Sequence, residues 1–265
     1  YQEAATASAP HGATVRLFDL GGDKVMPLSQ REDNPFLGWR GVRVLLDRPE
    51  FLRPQLRALL RANAHGTVRL LVPMVTHLDE LVRVRQLLAE EAERLAQQNV
   101  EHDADVEVGA MVEVPTVALQ AAAFAEEADF FSIGTNDLTQ YVLAVDRGND
   151  LVAKRYDALH PAVLSLVQRT VDAGAEAGIP VSLCGEIASD VQAVPILLGL
   201  GLDALSASPT YLPSIKQVIR GIRWVDAKSL ATDALTATDA AAVRRRAREW
   251  FAEHVDADVL REAPS

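Results

Sequence analysis

The chain is short of cysteine, of aromatic residues and of positive charge. Cys184 is the single cysteine among 265 residues. It cannot pair within the chain, so an internal disulfide framework and a cysteine-rich metal site are both excluded. Only 26 Lys and Arg stand against 37 Asp and Glu, a formal charge of -11. A nucleic-acid surface needs concentrated basic side chains, and none are gathered here. No apolar run reaches the length of a membrane span. The opening YQEAATASAPHG carries no cationic stretch followed by an apolar one, so it does not read as a signal peptide. It also lacks an initiating methionine, which suggests a fragment of a longer protein. The six histidines fall in loops or polar helical contexts with no HExxH spacing, and neither a Walker loop nor GxGxxG is present.

What is present is a repeated alternation of short apolar runs and longer amphipathic segments. The strand candidates are ATVRLFDL (13–20), VRLLVPM (68–74), VEVGAMVEV (106–114), ADFFSIG (128–134), IPVSLCGE (179–186) and LDALSAS (202–208), with a doubtful seventh in FLGWRG (36–41). Several are apolar on both faces, as parallel strands covered by helices are. Between them, Thr76 with Asp79 predicts a capping box, and Leu81, Val84, Leu88 and Leu95 trace one helical face. Further helices are predicted over 114–126, 161–177, 190–199 and 239–256, the last burying Val243, Ala247 and Phe251. His160 followed by Pro161 reads as a helix start. The pattern is βαβα without a flexible linker, which predicts one α/β domain over 1–265. Eight strands close a barrel, and six firm strands leave either an open sheet or a barrel lacking its first strand.

Polar residues cluster just after the apolar runs. In parallel α/β folds the carboxyl ends of strands share one rim, where active sites form. Arg16 and Asp19 mark the first run, Arg40 the doubtful one, Glu113 the third, Asn136 and Asp137 the fourth, Cys184 and Glu186 the fifth. Arg147 follows ten residues behind Asp137. Neighbouring buried carboxylates share a proton or a cation, so Glu113 and Asp137 are either a Mg²⁺ site or two structurally paired acids. Arg16, Arg40 and Arg147 are either a clamp for an oxygen-rich anion or ordinary salt-bridge partners. Arg43 and Arg48 are read as the latter. Cys184 is either a small buried hydrophobe or a neutral thiol able to protonate a carbanion or enolate.

Taken together, RLFDLGGDK (16–24), NPFLGWRGVR (34–43), VGAMVEVPT (108–116), FFSIGTNDLTQYVLAVDRGN (130–149) and LCGE (183–186) resemble the C-terminal, phosphoenolpyruvate-binding domain of enzyme I of the bacterial sugar phosphotransferase system. The match runs through nearly the whole chain in order, and the stretch 130–149 is specific by itself. The related domain of pyruvate phosphate dikinase and phosphoenolpyruvate synthase is the nearest alternative. A pyruvate-enolate lyase and a non-catalytic phosphoenolpyruvate-sensing or dimerisation module are more distant ones. The resemblance implies a (β/α)8 TIM barrel whose first strand, a GxGLxRTEF-like segment, is missing from this chain. It implies that Glu113 and Asp137 hold Mg²⁺, that Arg16, Arg40, Asn136 and Arg147 bind the substrate, and that Cys184 protonates enolpyruvate as pyruvate forms. The phosphoryl acceptor would be a histidine on an N-terminal domain, which then charges the phosphocarrier protein HPr. A homodimer in the cytoplasm is also implied, with no nucleic-acid or membrane partner. One departure is Val114, where the family has a threonine after the glutamate. It removes a hydroxyl beside the metal ligand and keeps the carboxylate.

Overall fold

The computed structural model describes residues 1–21 and 32–255. The 22–24 end of the first motif, and the last residue of the helix expected over 239–256, lie outside the described residues. In chain order the elements are α1 (Gln2–Ala7), β1 (Ala13–Arg16), α2 (Val42–Asp47), α3 (Pro49–Asn63), β2 (Val68–Val72), α4 (Leu78–Gln97), β3 (Glu107–Val112), α5 (Pro115–Leu119), α6 (Ala121–Ala125) and β4 (Phe131–Gly134). They continue with α7 (Thr135–Leu143), α8 (Pro161–Ala177), β5 (Val181–Cys184), α9 (Val194–Gly199), β6 (Ala204–Ser206), α10 (Leu212–Gly221), α11 (Trp224–Leu235) and α12 (Ala240–His254).

All six firm strand candidates are strands, and they form one sheet in the order β1-β2-β3-β4-β5-β6. The pairs β1–β2, β2–β3 and β5–β6 are parallel, with Val15 opposite Leu70, Leu71 opposite Gly109 and Leu183 opposite Leu205. Parallel neighbours require long crossovers, and helices supply them. Helix cover explains why β3 and β4 are apolar nearly throughout: all but the first residue of β3 and every residue of β4 are buried. Each strand is shorter than its apolar run, because the trailing residues leave the ladder and carry the polar groups. Leu17 still bonds Leu71 at 2.9 Å, and the β1 pairing stops there.

The seventh strand does not form. Pro35–Leu37 is a 3-10 turn, and Arg40 makes only an isolated antiparallel bridge to Gly21. Proline removes a ladder donor there, and Gly41 at φ +59° turns the chain directly into α2. Val42–Asp47 and Pro49–Asn63, to which the sequence pattern gave no element, are helices that meet at Arg48. The capping box is displaced by one residue: Glu80 Oε2 accepts from the His77 and Thr76 amides at 2.9 and 2.6 Å. Asp79 is one position too early for that exchange, and Thr76 Oγ1 instead accepts from Arg43 at 3.1 Å. The helix expected over 114–126 is two short ones, interrupted at Gln120, whose ψ of 24° leaves the helical well. The 161–177 helix has its expected bounds, and His160 Nδ1 caps it by accepting from the Ala162 amide.

The chain forms two compact units. Unit 1 is Tyr1–Val112 with Ala123–Phe131, and unit 2 is Glu113–Ala122 with Ser132 onward. In unit 1, Leu52, Leu56 and Leu59 of α3 and Leu81, Val84 and Leu95 of α4 are fully buried, as the helical spacing in α4 predicts. Glu91 of α4 is also buried, and its charge is answered by Arg53 and Arg94 at 2.6 Å each and by Arg57 at 3.7 Å. In unit 2, Val194 of α9, Ile215 and Val218 of α10 and Phe251 of α12 form one apolar cluster with Val191. Helix α9 also packs against α11 closely enough that Gly199 faces the Ala227 carbonyl. The expected buried face Val243, Ala247 and Phe251 of α12 is observed.

Candidate functional site

In unit 2 the strand β4 passes into helix α7 without a loop. The apolar run FFSI ends at Gly134, and Thr135 is already helical. Asn136 and Asp137 therefore stand in the first turn of α7, where the exposed amides and helix dipole favour a negative charge. Asp137 is 6% exposed. Glu113 is 1% exposed and sits between the end of β3 and Pro115, the first residue of α5. Helices α5 and α7 pack against one another, so both carboxylates belong to neighbouring elements of one unit. Burying two ionised carboxylates costs several kcal/mol unless cations answer them, by a rough general scale. Arg147 Nη2 lies 3.9 Å from Asp137 Oδ1, the outer limit of an ion pair.

The end of β5 closes on the same turn. Thr135 Oγ1 donates to the Cys184 carbonyl at 3.1 Å, and the Glu186 amide donates to Asn136 Oδ1 at 3.1 Å. Gly185 makes this approach feasible. Its φ is +127°, and a Cβ there would lie 2.1 Å from Thr135 Oγ1 and 3.0 Å from Asn136 Oδ1. The partly buried Cys184 Sγ accepts from Ser132 Oγ of β4 at 3.5 Å.

The loop after α7 carries Arg147, whose amide donates to Gln140 Oε1 at 3.1 Å. The loop returns to α7 at Tyr156, where the phenol Oη donates to the Asn136 carbonyl at 3.1 Å. Burial pushes the Tyr156 phenol above its ordinary value, Arg147 draws it back, and Glu186 adds a smaller upward push. Tyr156 thus joins the loop that carries Arg147 to the turn that carries Asn136. No motif in the sequence pointed to it, because a lone tyrosine nine residues past Arg147 has no local signature.

Unit 1 holds the other two expected residues. Arg16 ends β1 with an exposed side chain, and its carbonyl accepts from Gln55 Nε2 at 3.3 Å. Arg40 is buried, and Asp19 grips its guanidinium in a fork, Nη2 to Oδ2 at 2.7 Å and Nε to Oδ1 at 3.3 Å. Gly41 lets this corner close on Met74, since a Cβ there would come 2.6 Å from the Met74 Cβ. Arg43 holds the carbonyls of Leu37 and Gly38, and Arg48 makes an exposed pair with Glu50 at 3.6 Å. Both fit the structural roles expected of them.

Among the described residues no three His, Cys, Asp or Glu gather into a metal-ligand group. Two carboxylates from neighbouring elements nevertheless suit Mg²⁺, which commonly takes one or two from a protein and the rest from water and substrate oxygens. Five expected residues, Glu113, Asn136, Asp137, Arg147 and Cys184, lie in unit 2, and Arg16 and Arg40 lie in unit 1. Asp137 in the first turn of α7, Arg147 beside it and Cys184 at the end of β5 stand where strands pass into helices, the position at which parallel α/β folds gather polar groups.

Residues 1–224 match the family described as "PEP-utilising enzyme, PEP-binding domain", and the chain belongs to that family. Its similarity is more particular. It is 41% identical to the phosphoenolpyruvate-protein phosphotransferase of Haemophilus influenzae over 256 residues, 96% of this chain and 44% of that protein. It is 44% identical to the Staphylococcus epidermidis protein of the same name (83% of this chain, 39% of that one) and 48% identical to that of Bacillus sp. strain S (77% and 36%). The chain spans less than half the length of these relatives. A solved citrate lyase from Burkholderia xenovorans LB400 overlaps 78% of this chain and 72% of its own at 15% identity and a TM-score of 0.48. No described helix is long and apolar enough to cross a membrane.

Proposed function

We propose that the chain is the phosphoenolpyruvate-binding domain of a phosphoenolpyruvate-protein phosphotransferase, working in the cytoplasm as part of a homodimer. It would present phosphoenolpyruvate for phosphoryl transfer to a histidine on an N-terminal domain, which passes the group to the phosphocarrier protein HPr. The observation that carries this reading is the closure of β5 on the first turn of α7, which joins Asn136, Asp137 and Cys184 into one structure beside Arg147. The relatives' shared name supports the substrate and the reaction class.

Each residue then has a task. Arg147 brings a fixed positive charge to the phosphate. Asp19 orients Arg40. Asn136 uses Oδ1 on the Glu186 amide, which points its amide nitrogen as the donor for a substrate oxygen. Glu113 and Asp137 would hold Mg²⁺, which would supply positive charge toward an anionic substrate. When the phosphorus–oxygen bond breaks toward the histidine nitrogen, the electron pair stays on the enolate. Cys184 gives its proton to the enolate's terminal carbon, pyruvate leaves, and water reprotonates the thiolate. Ser132 Oγ, already directed at Sγ, is placed to stabilise that thiolate.

Calorimetric titration with phosphoenolpyruvate, with and without Mg²⁺, tests the reading. Binding is expected only with Mg²⁺, and Asp137→Ala weakens it by about a hundredfold or more, the usual cost of losing a charged ligand contact. Unchanged affinity in a folded Asp137→Ala protein would remove Asp137 from the site and the reading with it.

A further inference from the structure

We infer that Tyr156 is a positioning residue for Arg147: its hydroxyl ties the far end of the Arg147 loop to the first turn of α7. The inference rests on the reading above that Arg147 meets the substrate's anionic group. Arg147 sits on a segment that leaves α7 through Ala144, a left-handed residue at φ 52°, and returns at Tyr156. The near end is fixed by Gln140, whose carbonyl accepts from the Val145 amide at 3.0 Å and whose Oε1 accepts from the Arg147 amide at 3.1 Å. Between Gly148 and Arg155 the backbone bonds are local to the loop, Val152 and Ala153 both donating to the Asn149 carbonyl. One bond that returns the loop to α7 is Tyr156 Oη on the Asn136 carbonyl at 3.1 Å, and the phenol also interacts with the Thr139 and Arg147 side chains.

That carbonyl belongs to the residue beside Asp137. The phenol therefore spans between the acid's own helical turn and the segment that carries its cation. An arginine with a long, partly exposed side chain finds one anion geometry only if its backbone is held at both ends. Arg147 favours the ionised phenol and Glu186 opposes it, in keeping with the hydroxyl's place on the turn that holds Asp137. A phenylalanine at this position would fill the same volume and release the loop's return end.

The test is Tyr156→Phe in the whole protein, read in two ways. The first is hydrogen exchange at the Arg147 amide, which needs no ligand. We expect exchange about tenfold faster in the variant, the scale of losing one closing hydrogen bond, with the melting temperature held near wild type. The second is Mg²⁺-phosphoenolpyruvate affinity in a double-mutant cycle with Arg147→Met. Tyr156→Phe alone should weaken binding about five- to tenfold, and should add nothing once Arg147 is gone. Unchanged exchange at Arg147, or affinity losses that simply add, overturn the inference, as does a variant that melts lower yet binds as wild type. If wild-type protein binds no phosphoenolpyruvate, the proposed function fails, and the exchange measurement alone decides the role of Tyr156.

Discussion

At the scale of single residues, Tyr156 also makes a prediction about alkaline stability. Burial holds its proton more tightly in the folded chain than in the unfolded one, where the ordinary value is 10.0. A raised folded value means the contribution is complete below the unfolded value and is lost as pH rises through the folded one. Wild-type protein should therefore shed stability above about pH 10 more steeply than Tyr156→Phe, the range where a free phenol ionises. Thermal midpoints of the two proteins across that range give the comparison, and parallel declines would count against a buried, proton-holding phenol. Glu113, Asp137 and Cys184 drew notice in the sequence because each stands at or just past the end of an apolar run, a position that strand geometry makes meaningful, whereas Arg147 lies in the loop after α7 and stood out only within the stretch 130–149. Asp19 was visible at the same rim, but its fork on Arg40 was not, because nothing in the sequence says which arginine a carboxylate chooses. Tyr156 was invisible for a related reason: its partner is a backbone carbonyl twenty residues away, and backbone carbonyls leave no mark in a sequence.

Among elements, the packing of α9 on α11 depends on an absent side chain. A Cβ on Gly199 would stand 2.0 Å from the Ala227 carbonyl and 2.8 Å from the Ala231 Cβ. A backbone oxygen cannot swing aside as a flexible side chain does. Gly199→Ala should therefore push the two helices apart and cost about 1–3 kcal/mol, the general range for overpacking, despite alanine's better helix propensity. Chemical denaturation of the variant reads this directly, and a stabilised protein would mean the helices part without cost. The strands were legible because each is an apolar run bounded by turn residues. Helices α2 and α3 were not, since VRVLL alternates as a strand would, and it takes Gly41 and the closure on Pro73 and Met74 to turn it helical. The break between α5 and α6 was hidden in an alanine-rich stretch whose local preference is one continuous helix.

For the whole molecule, the relatives are more than twice as long as this chain, and the proposed reaction needs a histidine from outside it. None of its own six histidines is buried. With phosphoenolpyruvate and Mg²⁺ alone, the chain should release no pyruvate above background. Adding the N-terminal half of the Haemophilus influenzae relative in trans should start release, followed by coupled reduction to lactate. Pyruvate from the chain alone would place the acceptor within it. The sheet order has a further consequence, which concerns synthesis. In unit 1, β1 pairs with β2 and β2 with β3; in unit 2, β5 pairs with β6, so each of these strands joins the one made just before it. A chain emerging from the ribosome amino end first can lay down each of these pairs as its second member appears, without holding an unpaired strand for a partner yet to be translated. For these pairs, the inner edge of the earlier strand is then exposed only until the next strand appears.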